Sequence, residues 1–116
     1  MSAADLVHGP LHLMILKTVS WGPMHGYAIA RWIRDVTDDV MQIEEGSLYP
    51  ALHRMEQRGW IEADWGVSEN NRRAKFYRLT PEGRRHLTAE SPEWLRFAHA
   101  VGKVLQTVEQ PAPRPA

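Results

Sequence analysis

The hydrophobic period of this chain changes at Ile61 from helical to alternating and returns to helical near Pro81. Before Ile61, apolar residues recur three and four positions apart. Leu11, Met14, Ile15 and Val19 mark a first helix over roughly residues 10–20, which Trp21-Gly22-Pro23 ends. Ile29, Ile33 and Val36 mark the inner stripe of a second helix that starts near Met24 to Gly26, with Arg31 and Arg34 outward and Thr37-Asp38-Asp39 as its stop. Leu48, Leu52 and Met55 mark a third, which starts at about Gly46 and closes at Arg58-Gly59. Pro50 is expected in its first turn, where the N–H groups have no intrahelical partner.

From Ile61 the spacing is two. Ile61, Ala63 and Trp65 share one face of a strand and Glu62 and Asp64 the other. Ser68-Glu69-Asn70-Asn71 reads as a polar turn. Ala74 to Leu79 reads as the return strand, with Tyr77 and Leu79 inward. Val40 to Ile43 is a short extended connector able to pair with this hairpin. Thr80-Pro81-Glu82-Gly83 then opens a last helix, with Thr80 as N-cap and Pro81 at its first position.

Helix, helix, helix, hairpin, helix is the order of a winged helix-turn-helix. The fold class expected is therefore mainly α with a small β-hairpin, a winged helix-turn-helix carrying a C-terminal dimerisation helix. Residues 1–9 are expected to be a flexible N-terminus, 10–82 the DNA-binding domain and 83–109 the dimerisation helix. Ser91-Pro92 makes 91–92 the place for a break or kink, either from a mid-helix proline or from a helix restarted with Ser91 as cap and Pro92 at its first position. The tail 110–116 alternates proline with other residues and is expected to be disordered. The last helix carries Leu87, Ser91, Trp94, Ala98, Val101, Leu105 and Val108 at heptad a and d spacing. One small domain cannot bury that protruding stripe, so a homodimer is expected.

Composition narrows the function. At 43% hydrophobic and 24% charged, the 116 residues suffice for one modest core. There is no cysteine, hence no thiolate nucleophile or disulfide framework. Lys17 interrupts the longest apolar run, so no membrane span is expected. The first residues lack a signal-peptide pattern, which favours the cytoplasm. His8 and His12 stand four apart, but Gly9-Pro10 is expected to break the helix that would align them, and no acidic third ligand is near. No metal, cofactor or enzymatic site is expected.

The net charge is zero, 14 basic against 14 acidic, yet the charges are not evenly spread. Residues 47–86 hold Arg54, Arg58, Arg72, Arg73, Lys75, Arg78, Arg84 and Arg85 against five carboxylates. The third helix offers Ser47, Tyr49, Pro50, His53 and Arg54 on its polar side. Ser47 and Tyr49 suit phosphates, while His53 and Arg54 suit base edges. Arg72, Arg73 and Lys75 cluster at the hairpin tip, where cations bind phosphate. Double-stranded DNA is thus the expected partner. A winged helix used as a protein-interaction module is the alternative that neutral charge permits.

Three segments carry a resemblance. Gly22-Pro23-Met24-His25-Gly26-Tyr27, then Glu45-Gly46-Ser47-Leu48-Tyr49-Pro50-Ala51-Leu52, then Arg72 to Gly83 resemble the PadR family of transcriptional regulators. The resemblance runs from about Leu11 to Gly83 and more weakly to about residue 106. It implies a dimeric winged helix that represses genes at a pseudo-palindromic operator. Some relatives release DNA on binding small aromatic or drug-like molecules. Ser47, Tyr49, Pro50, Arg72, Arg73 and Lys75 match the family's recognition-helix and wing positions. Trp94 matches the spacing of a tryptophan that lines a drug pocket at a dimer interface in the compact branch. That makes Trp94, Ala98, Val101 and Leu105 the candidate effector and dimer-interface residues. Ser91-Pro92 departs from the pattern.

Overall fold

Trp60 and Gly83 sit where the third helix, the hairpin and the last helix meet, and the packing there sets the architecture. The computed structural model describes residues 3–110 and 112–114, and of residues 3–8 the backbone alone. What the sequence led us to expect of residues 1, 2, 111, 115 and 116 lies outside the described residues. Four helices, α1 (Ala3–Val19), α2 (Gly26–Val36), α3 (Glu45–Gln57) and α4 (Pro81–Leu105), alternate with three strands, β1 (Met24–His25), β2 (Ile61–Val67) and β3 (Arg73–Leu79). The antiparallel sheet has the order β1-β3-β2. Its register sets Ile61 opposite Leu79 and Val67 opposite Arg73, with Met24 opposite Tyr77 on the other side.

The core collects the stripes read from the sequence. Ile15, Leu16, Val19, Ile29, Ile33, Leu48, Leu52, Met55, Ile61 and Tyr77 are buried together. Trp65 of β2 and Val36 of α2 are exceptions, at 60% and 58% exposed: Trp65 lies toward the hairpin tip, opposite Lys75, and α2 ends at Val36, where its last turn overhangs the core. Asp38 and Asp39 then take positive φ, a conformation that short polar side chains tolerate, and reverse the chain.

Four expectations are corrected. First, α1 starts at Ala3, so residues 3–9 are helical and not a flexible arm, and Gly9-Pro10 lies inside the helix. Pro10 removes one hydrogen bond but does not end a helix whose first residues include the strong formers Ala3, Ala4 and Leu6. Second, α4 runs unbroken through Ser91-Pro92 and stops at Leu105, short of Val108. The carbonyl that Pro92 leaves unpaired belongs to the exposed Thr88, where water can serve it. Third, the strand added to the hairpin is Met24–His25, not Val40 to Ile43. Fourth, Pro50 lies beyond the first turn of α3, since the helix already starts at Glu45. The carbonyl it leaves is that of exposed Gly46, again open to solvent.

The joint between α3, β2 and α4 is tightly made. Gly59 takes φ +74, closing α3 in the left-handed conformation that glycine favours. The Thr80 hydroxyl donates to the Gly59 carbonyl at 2.5 Å and accepts from the Gly83 N–H at 3.0 Å, while the Thr80 N–H donates to the Trp60 carbonyl at 3.1 Å. Gly83 is buried against that same carbonyl. A Cβ there would lie 2.0 Å from the Trp60 oxygen, so only glycine fits. The Trp60 ring stacks on His86 of α4 at 3.9 Å and meets His12 of α1 edge-on at 5.7 Å.

Replacing Gly83 with Ala must push α4 off β2. The expected loss is about 1–3 kcal/mol, the range of overpacked sites. It should appear as a lower midpoint in urea with an unchanged slope.

Candidate nucleic-acid interface

Leu48, Ala51, Leu52 and Met55 bury one face of α3 almost completely. By helical spacing, Gly46, Pro50, His53 and Gln57 then form the stripe directly opposite. All four are exposed. Ser47 flanks the stripe on the α1 side, also exposed, and Tyr49 flanks it on the hairpin side. Gln57 was missed in the sequence reading, although it stands four residues after His53 on the same face.

Arg54 is placed differently from the expectation. It is half-buried, and its Nε–H donates to Nε2 of the buried His12 at 3.4 Å. Its guanidinium is thus engaged on α1 rather than directed along the stripe beside His53. His12, considered above as half of a metal pair, is 3% exposed and packed between this arginine and Trp60.

Tyr49 is seated by a glycine. A Cβ on Gly26 would come within 3.0 to 3.3 Å of the Tyr49 ring and hydroxyl, so the bare backbone at the start of α2 provides the shelf on which the ring lies. His25 caps that start: its Nδ1 accepts from the Ala28 N–H at 3.3 Å. With Nδ1 accepting, the neutral ring carries its proton on Nε2, which donates to Glu69 at 3.3 Å. This contact ties the tip of the hairpin back to α2.

The tip itself is built by local hydrogen bonds. Asn71 takes φ 59, and the Ser68 N–H donates to the Arg72 carbonyl at 2.8 Å. Arg72 is exposed, with no ion pair among the described residues. The Arg73 guanidinium lies 4.6 Å from the Trp65 ring centre, which holds it on the hairpin face. Lys75 Nζ lies 3.8 Å from Glu56 Oε1. On β3, Arg78 pairs with both Glu62 and Asp64 of β2.

Between α2, α3 and the hairpin runs an open groove of about 730 Å³, lined by His25, Tyr27, Tyr49, His53, Arg72 and Arg73 among others. Arg31, Arg72, Arg73 and Lys75 line it against one carboxylate among the described residues, Glu56. The structure therefore brings Tyr49, His53, Arg72, Arg73 and Lys75 to one groove, with Ser47 and Pro50 on the adjoining stripe. A helix with a buried back, a polar front and basic side chains alongside is suited to a polyanion with a readable groove.

Residues 15–89 match the sequence profile of the transcriptional regulator PadR-like family. The chain belongs to that family. PadR proteins are regulators of transcription that bind DNA, not enzymes. The chain is 31% identical over 81 residues to a transcriptional regulator of Mycobacterium tuberculosis, covering 69% of this chain and 71% of that one. A transcriptional regulator from Clostridium thermocellum superposes with a TM-score of 0.74 at 33% identity, over 85% of this chain and 96% of that one. A PadR family regulator from Clostridium difficile gives 0.68 at 28% identity, over 82% and 97%. No described helix is long and apolar enough to cross a membrane.

The α4 candidates lie elsewhere. Trp94 is half-buried beside Phe97, with the rings stacked at 5.4 Å, while Ala98, Val101 and Leu105 are exposed along the distal half. Trp94 also borders a second groove of about 720 Å³ between α1, α2 and α4, walled by Leu13, Met14, Trp32, Leu87 and Leu95.

The Glu69 clasp has a pH dependence. Backbone hydrogen bonding first, then the bond from His25, holds its carboxyl below the usual carboxylate range. A depressed carboxyl stabilises the clasp fully at neutral pH, and the contribution is lost as pH falls through the folded-state value. Protection factors of the amides of residues 68–72, which take out the slower intrinsic exchange in acid, should fall in the wild type as pH drops. In Glu69→Gln they should already be low at neutral pH, with no acid step.

Proposed function

We propose that this PadR protein is a cytoplasmic homodimeric repressor that binds a pseudo-palindromic operator through α3 and the β2–β3 wing. The observation that carries the reading is the exposed stripe of α3 opposite a fully buried face, with the basic wing on the same side. Pro50, His53 and Gln57 face base edges in the major groove, and Ser47 and Tyr49 hold flanking phosphates. Arg72 and Arg73 grip the backbone beyond, with Lys75 joining them once it leaves Glu56. Arg54 keeps α3 fixed on α1.

The pairing of two protomers is supported by α4. Its distal half leaves Leu95 67%, Val104 74% and Leu105 78% exposed. By helical spacing, Leu95 widens the heptad stripe on one flank, and Phe97 and Val104 widen it on the other. A second α4 buries such a stripe as in a coiled coil. The groove beside Trp94 has the size and apolar walls of a small-molecule site, so a small aromatic or drug-like effector bound there would favour a dimer with mis-spaced recognition helices.

Footprinting on the region upstream of the protein's own gene should protect two half-sites about one helical turn apart. Absence of protection, with a protein that is dimeric by sedimentation, would remove the repressor reading. Arg72→Ala with Arg73→Ala should weaken binding to every duplex alike and flatten the salt dependence by roughly 0.9 log unit per lost phosphate contact. Planar aromatic ligands should quench tryptophan fluorescence saturably. The quenching should vanish in Trp94→Ala while that variant still sediments as a dimer.

A further inference from the structure

Glu56 stands on the side of α3 that faces the wing, in a groove whose other charged side chains are cations. Its position calls for a reason. Its side chain is 30% exposed and that of its partner Lys75 is 41%, with 3.8 Å between the charges. A partly exposed pair at that separation adds little to folding stability. A carboxylate there also repels any phosphate that enters. Neither stability nor plain DNA affinity accounts for it.

What the pair does is occupy a cation. Sequence-independent affinity for DNA is set by the number of side chains that neutralise phosphates. Of the four arginines and lysines around the groove, two are held by carboxylates within the protein. Lys75 is held by Glu56, and Arg31 lies 3.7 Å from Glu69, which His25 also contacts. Arg73 rests on Trp65, which leaves Arg72 as the cation most available to an arbitrary duplex.

We infer that Glu56 is a specificity-determining residue, which withholds Lys75 from phosphate on duplexes of arbitrary sequence and yields it where α3 is seated in register. Because the ion pair is long, at 3.8 Å, and open to solvent on one side, exchanging Glu56 for a closely held phosphate is easy once the helix lies deep in the groove. On a mismatched duplex the phosphate stays farther away, and the exchange does not occur. The pair thus lowers non-specific binding more than specific binding, and the ratio between them rises. This inference rests on the DNA-contacting reading given above.

The test uses the full chain and four proteins: wild type, Glu56→Gln, Lys75→Gln and the double variant. Each is titrated, at several salt concentrations, with the tightest duplex selected from a random pool and with a shuffled duplex of equal composition. Glu56→Gln keeps the shape of the side chain and removes its charge. It should tighten binding to the shuffled duplex by up to roughly tenfold per protomer near 0.1 M salt and steepen that salt slope by about 0.9 per protomer. The selected duplex should gain less, so discrimination falls. Lys75→Gln bares the Glu56 carboxylate and should not tighten shuffled binding, and combined with Glu56→Gln it should cancel both the gain and the steeper slope. A purely structural role for Glu56 predicts weaker binding to both duplexes, and that result would overturn the inference. So would an unchanged slope in Glu56→Gln while the wild type still discriminates. If the wild type retards neither duplex, the DNA-contacting reading falls and this inference falls with it.

Discussion

The close approach of Gly83 to the Trp60 carbonyl is the constraint on which the other elements depend. It lets α4 leave the sheet directly beside the end of α3. Thr80 binds three neighbouring backbone groups there, two through its hydroxyl and one through its own N–H, and the Trp60 ring spreads the contact to α1 and α4. Without that glycine, α3 and α4 would lose their fixed relation, although each could still form by its own periodicity. The buried face of α3, the cap of α4 and the register of β2 against β3 all meet within a few residues.

Much of this could be read from the residues. Leu48, Leu52 and Met55 gave the buried face of α3, and the change of period at Ile61 gave the hairpin. Thr80-Pro81 gave the start of α4. Each of those signals is local, a matter of spacing or of one capping residue. What escaped was decided by contacts distant in sequence. Nothing in Met24-His25 announces a two-residue strand, because its pairing partner lies at Phe76 and Tyr77. Arg54 reads as an outward arginine until His12 is brought beneath it by the packing of α1. Pro10 and Pro92 suggest breaks by their general chemistry, but a helix can lose one hydrogen bond where its flanking residues favour continuation, as at Pro10, or where the freed carbonyl belongs to an exposed residue, as at Thr88.

The candidate site was read unevenly for the same reason. Residue type located the cations of the wing, since three of them stand within four positions. It could not show that their carboxylate partners come from other elements, with Glu56 on α3 reaching Lys75 and Glu69 at the tip reaching back to α2. Net charge near zero thus takes on a structural meaning: part of the positive potential of the groove is cancelled inside the protein. Gln57 escaped because a neutral amide attracts no notice in a charge count, whereas its place on the stripe is fixed by geometry alone.

The unbroken α4 has a mechanical consequence. Its 25 residues, at 1.5 Å of rise each, make a rod of roughly 37 Å anchored at one end by the Gly83 contact. A turn of about 10° at that anchor displaces the far tip by roughly 6 Å, nearly two base-pair steps of about 3.4 Å. Small changes of packing around Trp60 and His86 are therefore amplified along the rod. The fit of glycine against carbonyl sets not merely where α4 begins but the angular tolerance of everything attached to its other end.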